Sequence, residues 1–177
     1  MRKLNPLKVI KFAAVFVVVV FLLAAFFLNQ IKTEIMHLIE IYGYIAVFFI
    51  TLIVESLAQP IGPEIPLVSG KILGLNMAYT ALITIIGSVL ASFINYRVGK
   101  VFQERVNKSE KYIKFIEWYK RHGKYGLLVA ALGPVPYVPF CWFSGAFGLS
   151  IKKFIFFGLF PRILRIVFIS YILNLIF

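Results

Sequence analysis

Gln59-Pro60-Ile61-Gly62-Pro63-Glu64-Ile65-Pro66 decides the fold, because three prolines and a glycine in eight residues cannot continue a helix. Each proline removes a backbone donor and clashes with the preceding turn. The break sits between two apolar arms: Tyr42 to Ala58, interrupted only by Thr51, Glu55 and Ser56, and Leu67 to Leu75. A bilayer crossing takes about 20 apolar residues. Each arm is short for that, so the pair reads as a hairpin that enters and leaves the membrane on one side. Met77 to Ile94 then has the length of a full span. The pattern repeats further on. Tyr125 to Leu132 is apolar, Gly133-Pro134-Val135-Pro136-Tyr137-Val138-Pro139 breaks it, Phe140 to Leu149 resumes it, and Phe154 to Phe177 forms a last span after Lys152 and Lys153.

Composition agrees with a chain surrounded by lipid. Hydrophobic residues make up 61% of the 177 and charged residues 15%, where globular chains carry about 45–50% and about 25%. A soluble domain of this size could not hide that much apolar side chain. The net charge of +12 comes from 19 Lys and Arg against seven Glu, with no Asp. The basic residues fall in short stretches between apolar runs, which favours an anionic membrane surface over nucleic acid as the partner. Cys141, His37 and His122 give no metal-ligand set, and no cofactor motif is present. One cysteine cannot form an intrachain disulfide.

The N-terminal run Phe12 to Leu28 has no polar side chain and follows Arg2, Lys3, Lys8 and Lys11. It is longer than a signal-peptide core and lacks a small-residue cleavage site, so a retained first span is expected. Residues 29–40 are polar and read as an interfacial helix. Between the two broken segments, Tyr96 to Lys124 holds nine Lys and Arg against three Glu. Tyr112, Phe115, Ile116 and Tyr119 recur at helical spacing opposite Glu110, Lys114, Glu117 and Arg121. With Lys111, Lys114, Lys120 and the interfacial Trp118, this predicts an amphipathic helix on an anionic cytoplasmic surface; a solvated connector is the alternative. Placing the N-terminus, this connector and Lys152-Lys153 in the cytoplasm puts 15 basic residues inside and leaves Lys32 and Lys71 outside, as the positive-inside rule prefers.

The two broken segments correspond. Gly62-Pro63 answers Gly133-Pro134, Ser69-Gly70 answers Ser144-Gly145, and Gly74-Leu75-Asn76 answers Gly148-Leu149-Ser150. Under the charge-derived topology the two hairpins enter from opposite sides. The expected fold is an all-α membrane protein: an inverted repeat of two re-entrant helical hairpins, each followed by a transmembrane helix, plus an N-terminal transmembrane helix and a cytoplasmic amphipathic helix. Its parts are residues 1–41, the N-terminal span and interfacial segment, and 42–177, the membrane domain. The latter divides into repeat one (42–96), connector (97–124) and repeat two (125–177). Inverted repeats with broken helices at matching places mark many secondary transporters, with the binding site near the midplane.

These residues resemble a family. Glu55, Gly-Pro-Glu-Ile-Pro at 62–66, Ser69-Gly70 and Gly74 resemble the first motif of the DedA and SNARE-associated (VTT-domain) membrane proteins, as do Gly87-Ser88 and Tyr96-Arg97-Val98-Gly99-Lys100. The run from Pro136 through Pro139 and Gly145 to Gly148-Leu149-Ser150 is similar to the second-hairpin motif, and Gly158-Leu-Phe-Pro161 to the last span. The likeness covers roughly Tyr42 to Ile172. It implies two facing re-entrant hairpins and a role in moving lipid across the bilayer, with bacterial members linked to polyprenyl-phosphate return and eukaryotic ones to phospholipid scrambling. Many bacterial members carry two arginines around the second proline motif. The matching positions here are Ala131 (or Gly133) and Tyr137.

Four charged residues fall at membrane depth and are the candidate proton or substrate groups: Glu55, Glu64, Arg162 and Arg165. An ionisable group costs about 2.5–3.5 kcal/mol there and normally faces a cavity or a partner. Glu55 is a candidate proton acceptor. Glu64 opens a half-helix, where an acid is favoured. Arg162 and Arg165 share one face of the last span and could pair with the glutamates or grip a lipid phosphate; snorkelling to the interface is the alternative. The prolines and glycines of the breaks (Pro60, Gly62, Pro63, Pro66, Gly70, Gly74, Pro134, Pro136, Pro139, Gly145, Gly148) shape the hairpins. Trp142 reads as packing and Asn95 and Tyr96 as candidate cavity lining. The expected function is flippase or scramblase for an anionic lipid in the cell membrane. Alternatives are a proton- or cation-coupled small-solute transporter and a non-transporting assembly factor. Self-association is left open. No nucleophile–base constellation suggests an enzyme.

Overall fold

The structure is a computed structural model that describes residues 32–57, 62–103, 113–133 and 135–176. The N-terminal span, Pro60, Lys111 and Pro134 lie outside the described residues, as does the side chain of Lys114. The chain divides into two compact units, Met1–Glu34 and Ile35–Phe177. The second is helical throughout its described residues. Helix α1 covers 32–42, followed by α2 (Tyr44–Ser56), α3 (Glu64–Ile72), α4 (Met77–Val101), α5 (Ile113–Leu132), α6 (Tyr137–Ala146) and α7 (Ile151–Ile176).

Two helices are long and apolar enough to cross a bilayer and three fall well short, with the 20-residue α5 between them. At 1.5 Å per residue, α4 and α7 reach about 37–39 Å and clear a hydrocarbon core of about 30 Å. The 13-residue α2, nine-residue α3 and 10-residue α6 reach only about 14–20 Å. Helix α4 is central, with α2 and α6 packed along it and α7 alongside.

Helix α4 is built inside out. Thr80, Thr84, Ser88 and Ser92, four residues apart, are buried together with Asn95. Leu82, Ile86, Leu90, Ile94 and Val98, also four apart, are exposed. In water this would place a large apolar stripe in contact with solvent. In a bilayer it is the expected arrangement, since lipid welcomes the apolar stripe and helix contacts are made by small and polar residues. Helix α7 repeats the pattern, with Phe156, Phe160, Leu164, Phe168 and Tyr171 outward and Arg162 and Ser170 inward.

The corresponding segments end in the same backbone device. After α3, the amides of Leu73, Gly74 and Leu75 donate to the carbonyls of Ser69, Lys71 and Gly70. After α6, those of Phe147, Gly148 and Leu149 donate to Phe143, Gly145 and Ser144. Gly74 and Gly148 sit at φ 75° and 71°, a region where other L-residues are strained. The next helix is then capped by Asn76, whose side chain accepts from the amides of Ala78 and Tyr79, or begins after Ser150.

Two features differ from the sequence reading. Helix α4 runs on past Ile94 to Val101, and α5 passes through Gly123 without a break. Residues 113–124 of the basic stretch and the apolar arm at Tyr125–Leu132 are therefore one helix. Its buried positions are continuous across the junction (Ile116, Tyr119, Leu127, Ala130, Ala131), so packing carries the helix past a residue of low propensity. Trp118, Lys120 and Arg121 do point outward. The polar segment at 32–42 is helical too, and Ile35 and Ile39 are buried in a cluster with Val47, Ile50 and Val54 of α2.

The closest crossing is between α4 and α6. A Cβ at Gly99 would overlap the Trp142 carbonyl, and one at Gly145 the Tyr96 carbonyl. Both obstacles are backbone, which cannot swing aside. Gly145→Val should therefore lower stability by about 1–3 kcal/mol or more, read as a fall in the detergent-solubilised protein's thermal midpoint. An unchanged midpoint would contradict this packing.

Candidate functional site

The charged candidates meet in two pairs. Arg162 Nη2 lies 2.5 Å from Glu55 Oε1, and Arg165 Nη2 is paired with Glu64 Oε1. The first pair is almost fully buried, with Glu55 4% and Arg162 6% exposed. The second is partly open. Both arginines are thus paired with carboxylates.

Glu55 is in the last turn of α2, Ser88 near the middle of α4, and Arg162 near the middle of α7. Ser88 Oγ donates to Glu55 Oε2 at 2.5 Å, so each carboxylate oxygen has its own donor. The Glu55 backbone carbonyl, orphaned by the end of the helix, accepts from Asn95 Nδ2 at 2.8 Å. Asn95 Oδ1 in turn accepts from Trp142 Nε1 at 2.8 Å. One hydrogen-bonded chain thus links α2, α4 and α6 behind the ion pair. Tyr137 lies under the Arg162 guanidinium, 5.0 Å from ring centroid to the central carbon, a cation–π contact.

Arg165 joins the two proline breaks. One amino group holds Glu64, at the start of α3, and the other donates to the Gly133 carbonyl at 2.6 Å, at the end of α5. Both breaks therefore meet at the midpoint of α7. Gly133 and Tyr137, both singled out around the second proline motif, are reached by α7's arginines: Arg165 at Gly133 and Arg162 over Tyr137.

Local structure explains how α7 delivers them. Residues Ile155–Leu159 form a π-helical turn, and the Phe160 amide bonds the Ile155 carbonyl five residues back. Pro161 follows at once and cannot donate. The wide turn absorbs the proline without ending the helix, and Phe154, Leu159, Arg162 and Ile166 all stay buried on one side.

Comparison with known proteins fits this arrangement. Residues 63–175 match the VTT domain. The chain belongs to the VTT-domain (DedA/SNARE-associated) family. This VTT-domain membrane protein is 27% identical over 142 residues to MJ0201 of Methanocaldococcus jannaschii, covering 78% of this chain and 88% of that protein. It is 27% identical over 138 residues to the membrane protein YbfM of Bacillus subtilis, covering 69% and 83%. No solved structure matches.

Of the candidates, Glu55, Glu64, Arg162 and Arg165 come together, with Gly133 and Tyr137 of the second break. Gly62, Pro63 and Pro66 flank Glu64, whereas Gly70, Gly74, Gly145 and Gly148 serve helix ends and crossings at a distance from it. Trp118 and Lys120 lie on the exposed face of α5. Sequence reading named Ser88 only within a motif, with no role at the charged centre, and took Trp142 for packing. The four-residue spacing of Thr80, Thr84, Ser88 and Ser92 in an apolar span was the available signal for Ser88. Nothing local marks Trp142, whose partner is 47 residues away.

Removing one member of a buried pair strands the other, a loss of about 3–5 kcal/mol, whereas replacing both is often neutral. Arg162→Met should therefore destabilise the solubilised protein by about that much, and adding Glu55→Gln should recover most of it. Thermal unfolding of the two single variants and the double variant reads this. Singles that match the wild type would place the pair in water.

Proposed function

We propose that the protein moves an anionic lipid, a polyprenyl phosphate or a phospholipid, across the bilayer as a flippase or scramblase. The observation that carries this reading is Arg165 bound at once to Glu64 and to Gly133, which ties the tips of both broken segments at the midpoint of a membrane-length helix. The short helices α2, α3 and α6 and the duplicated cap at Gly74 and Gly148 support two re-entrant hairpins. The charge partition supports their entry from opposite faces, with the N-terminus in the cytoplasm of a cell-membrane protein. Sites at such a junction are typical of inverted-repeat transporters.

The chemistry is exchange of anions. Arg162 and Arg165 hold carboxylates at rest, so the interior carries two positive and two negative charges and no net charge. A phosphate head group presents the same planar-fork match to guanidinium as a carboxylate does. It can take Arg165 from the partly open Glu64 while its acyl chains stay in lipid. Glu55, held by Ser88 and Arg162, keeps the second arginine in place. The exposed basic face of α5, with Trp118 and Lys120, would gather anionic lipid at the cytoplasmic surface. An assembly factor needs no buried charge, whereas the translocator reading uses the two ion pairs.

Reconstitution into liposomes containing a fluorescent anionic lipid tests it, with external quencher reporting exchange between leaflets. Wild type should exceed protein-free vesicles, and Arg165→Ala and Glu55→Gln should each cut the rate about tenfold or more, as expected for losing about 1.4 kcal/mol of barrier lowering. Exchange no faster than in empty vesicles, or variants as fast as wild type, would overturn the reading.

A further inference from the structure

A second basic feature lies away from the charged centre. At the far end of α4, a cavity of about 450 Å³ is lined by Tyr96, Arg97, Lys100 and Gln103, and by the chain from Gly148 to Ile151. Its floor is fixed. Tyr96 donates to the Leu149 carbonyl at 2.7 Å, its ring packs on Phe154 with centroids 4.7 Å apart, and the Gly99–Gly145 crossing sits directly beneath. The walls therefore belong to the most tightly packed junction of the molecule.

Among the described residues, no carboxylate lines this cavity. Among the described residues, the ion pairs engage Arg162 and Arg165, and neither Arg97 nor Lys100 has a carboxylate partner. Lys120 approaches from α5: its Cε lies 3.4 Å from where a Cβ on Gly148 would stand, and the Gln103 amide nitrogen lies 2.7 Å from that point. Two cationic side chains and an amide donor thus line one space, with Lys120 close to Gly148 on its rim. Beside it, Val98, Val101 and Phe102 are exposed on the same end of α4, an apolar flank fit for acyl chains rather than water.

We infer that this cavity binds the phosphate-monoester head group of an anionic lipid, with Arg97 and Lys100 as its principal ligands. A phosphate monoester carries close to two negative charges near neutral pH and three acceptor oxygens, which two or three cations and an amide can satisfy. Basic pockets beside membrane helices hold anionic head groups in this way. The apolar flank selects a lipid over free phosphate. The site is separate from the Glu55–Arg162 centre and requires no translocation, so it stands or fails independently of the lipid-exchange experiment.

Native mass spectrometry of the purified full chain, released from nanodiscs containing equal phosphatidic acid and phosphatidylcholine, tests it. Wild type should retain phosphatidic acid preferentially. Arg97→Gln with Lys100→Gln should lower that retention about tenfold, whereas Lys152→Gln with Lys153→Gln, the same loss of charge on the neighbouring exposed turn, should leave it unchanged. Inorganic phosphate should compete only weakly. Equal retention by the Arg97/Lys100 variant would overturn the site. An equal loss in the Lys152/Lys153 variant would reduce it to general surface charge, and strong displacement by inorganic phosphate would make it a site for the free anion.

Discussion

A carboxylate and a guanidinium, shut away from water between three helices, set the terms for everything around them. Bringing Glu55 and Arg162 out of water costs several kcal/mol per ion, which their attraction offsets only if the remaining lone pairs and donors are also satisfied. The surroundings meet that condition in detail. Ser88 takes the second carboxylate oxygen, Tyr137 underlies the guanidinium, and Asn95 with Trp142 holds the backbone from which Glu55 projects. That requirement explains why α4 turns its hydroxyls inward and its leucines and isoleucines outward. A polar interior and an apolar exterior are the stable arrangement for helices whose solvent is hydrocarbon.

The same interaction gives the repeated halves a common centre. Each half consists of an arm, a proline break, a short helix, a glycine cap at positive φ and a long helix. Neither half encloses a charge by itself. Repeat one supplies Glu55, Glu64 and Ser88; repeat two supplies Tyr137, the Gly133 carbonyl and both arginines. Arg165, with one partner from each break, makes their meeting a matter of hydrogen bonding and not only of packing. The π-helical turn ahead of Pro161 belongs to this design, since it lets a proline stand beside two inward-facing arginines without interrupting α7.

Much of this was legible in the chain. Proline spacing pointed to the breaks, and Gly74-Leu75-Asn76 and Gly148-Leu149-Ser150, matched in the sequence, end their helices with the same hydrogen bonds, which the match alone did not specify. The cost of charge in lipid singled out Glu55, Glu64, Arg162 and Arg165, and all four found partners there. Which glutamate pairs with which arginine was not legible, because the choice depends on the turn-by-turn rotation of α7 after its π-helical segment. The extent of α5 was also hidden. Gly123 and a change from basic to apolar composition suggest a boundary, but the buried stripe from Ile116 to Ala131 runs through both. Local composition follows the surroundings of a helix, and here those change along its length while its packed face does not.

Depth measurement tests directly whether the two proline breaks meet within the hydrocarbon and not at its surface. Nitroxide labels at Leu57→Cys and Val135→Cys, exposed positions beside the two breaks, in a Cys141→Ser background, report this through their collision rates with oxygen and with a water-soluble nickel complex. Both labels should lie deep in the hydrocarbon, within about one helical turn (5.4 Å) of each other in depth. Either label at the aqueous interface, accessible to nickel and shielded from oxygen, would contradict the account.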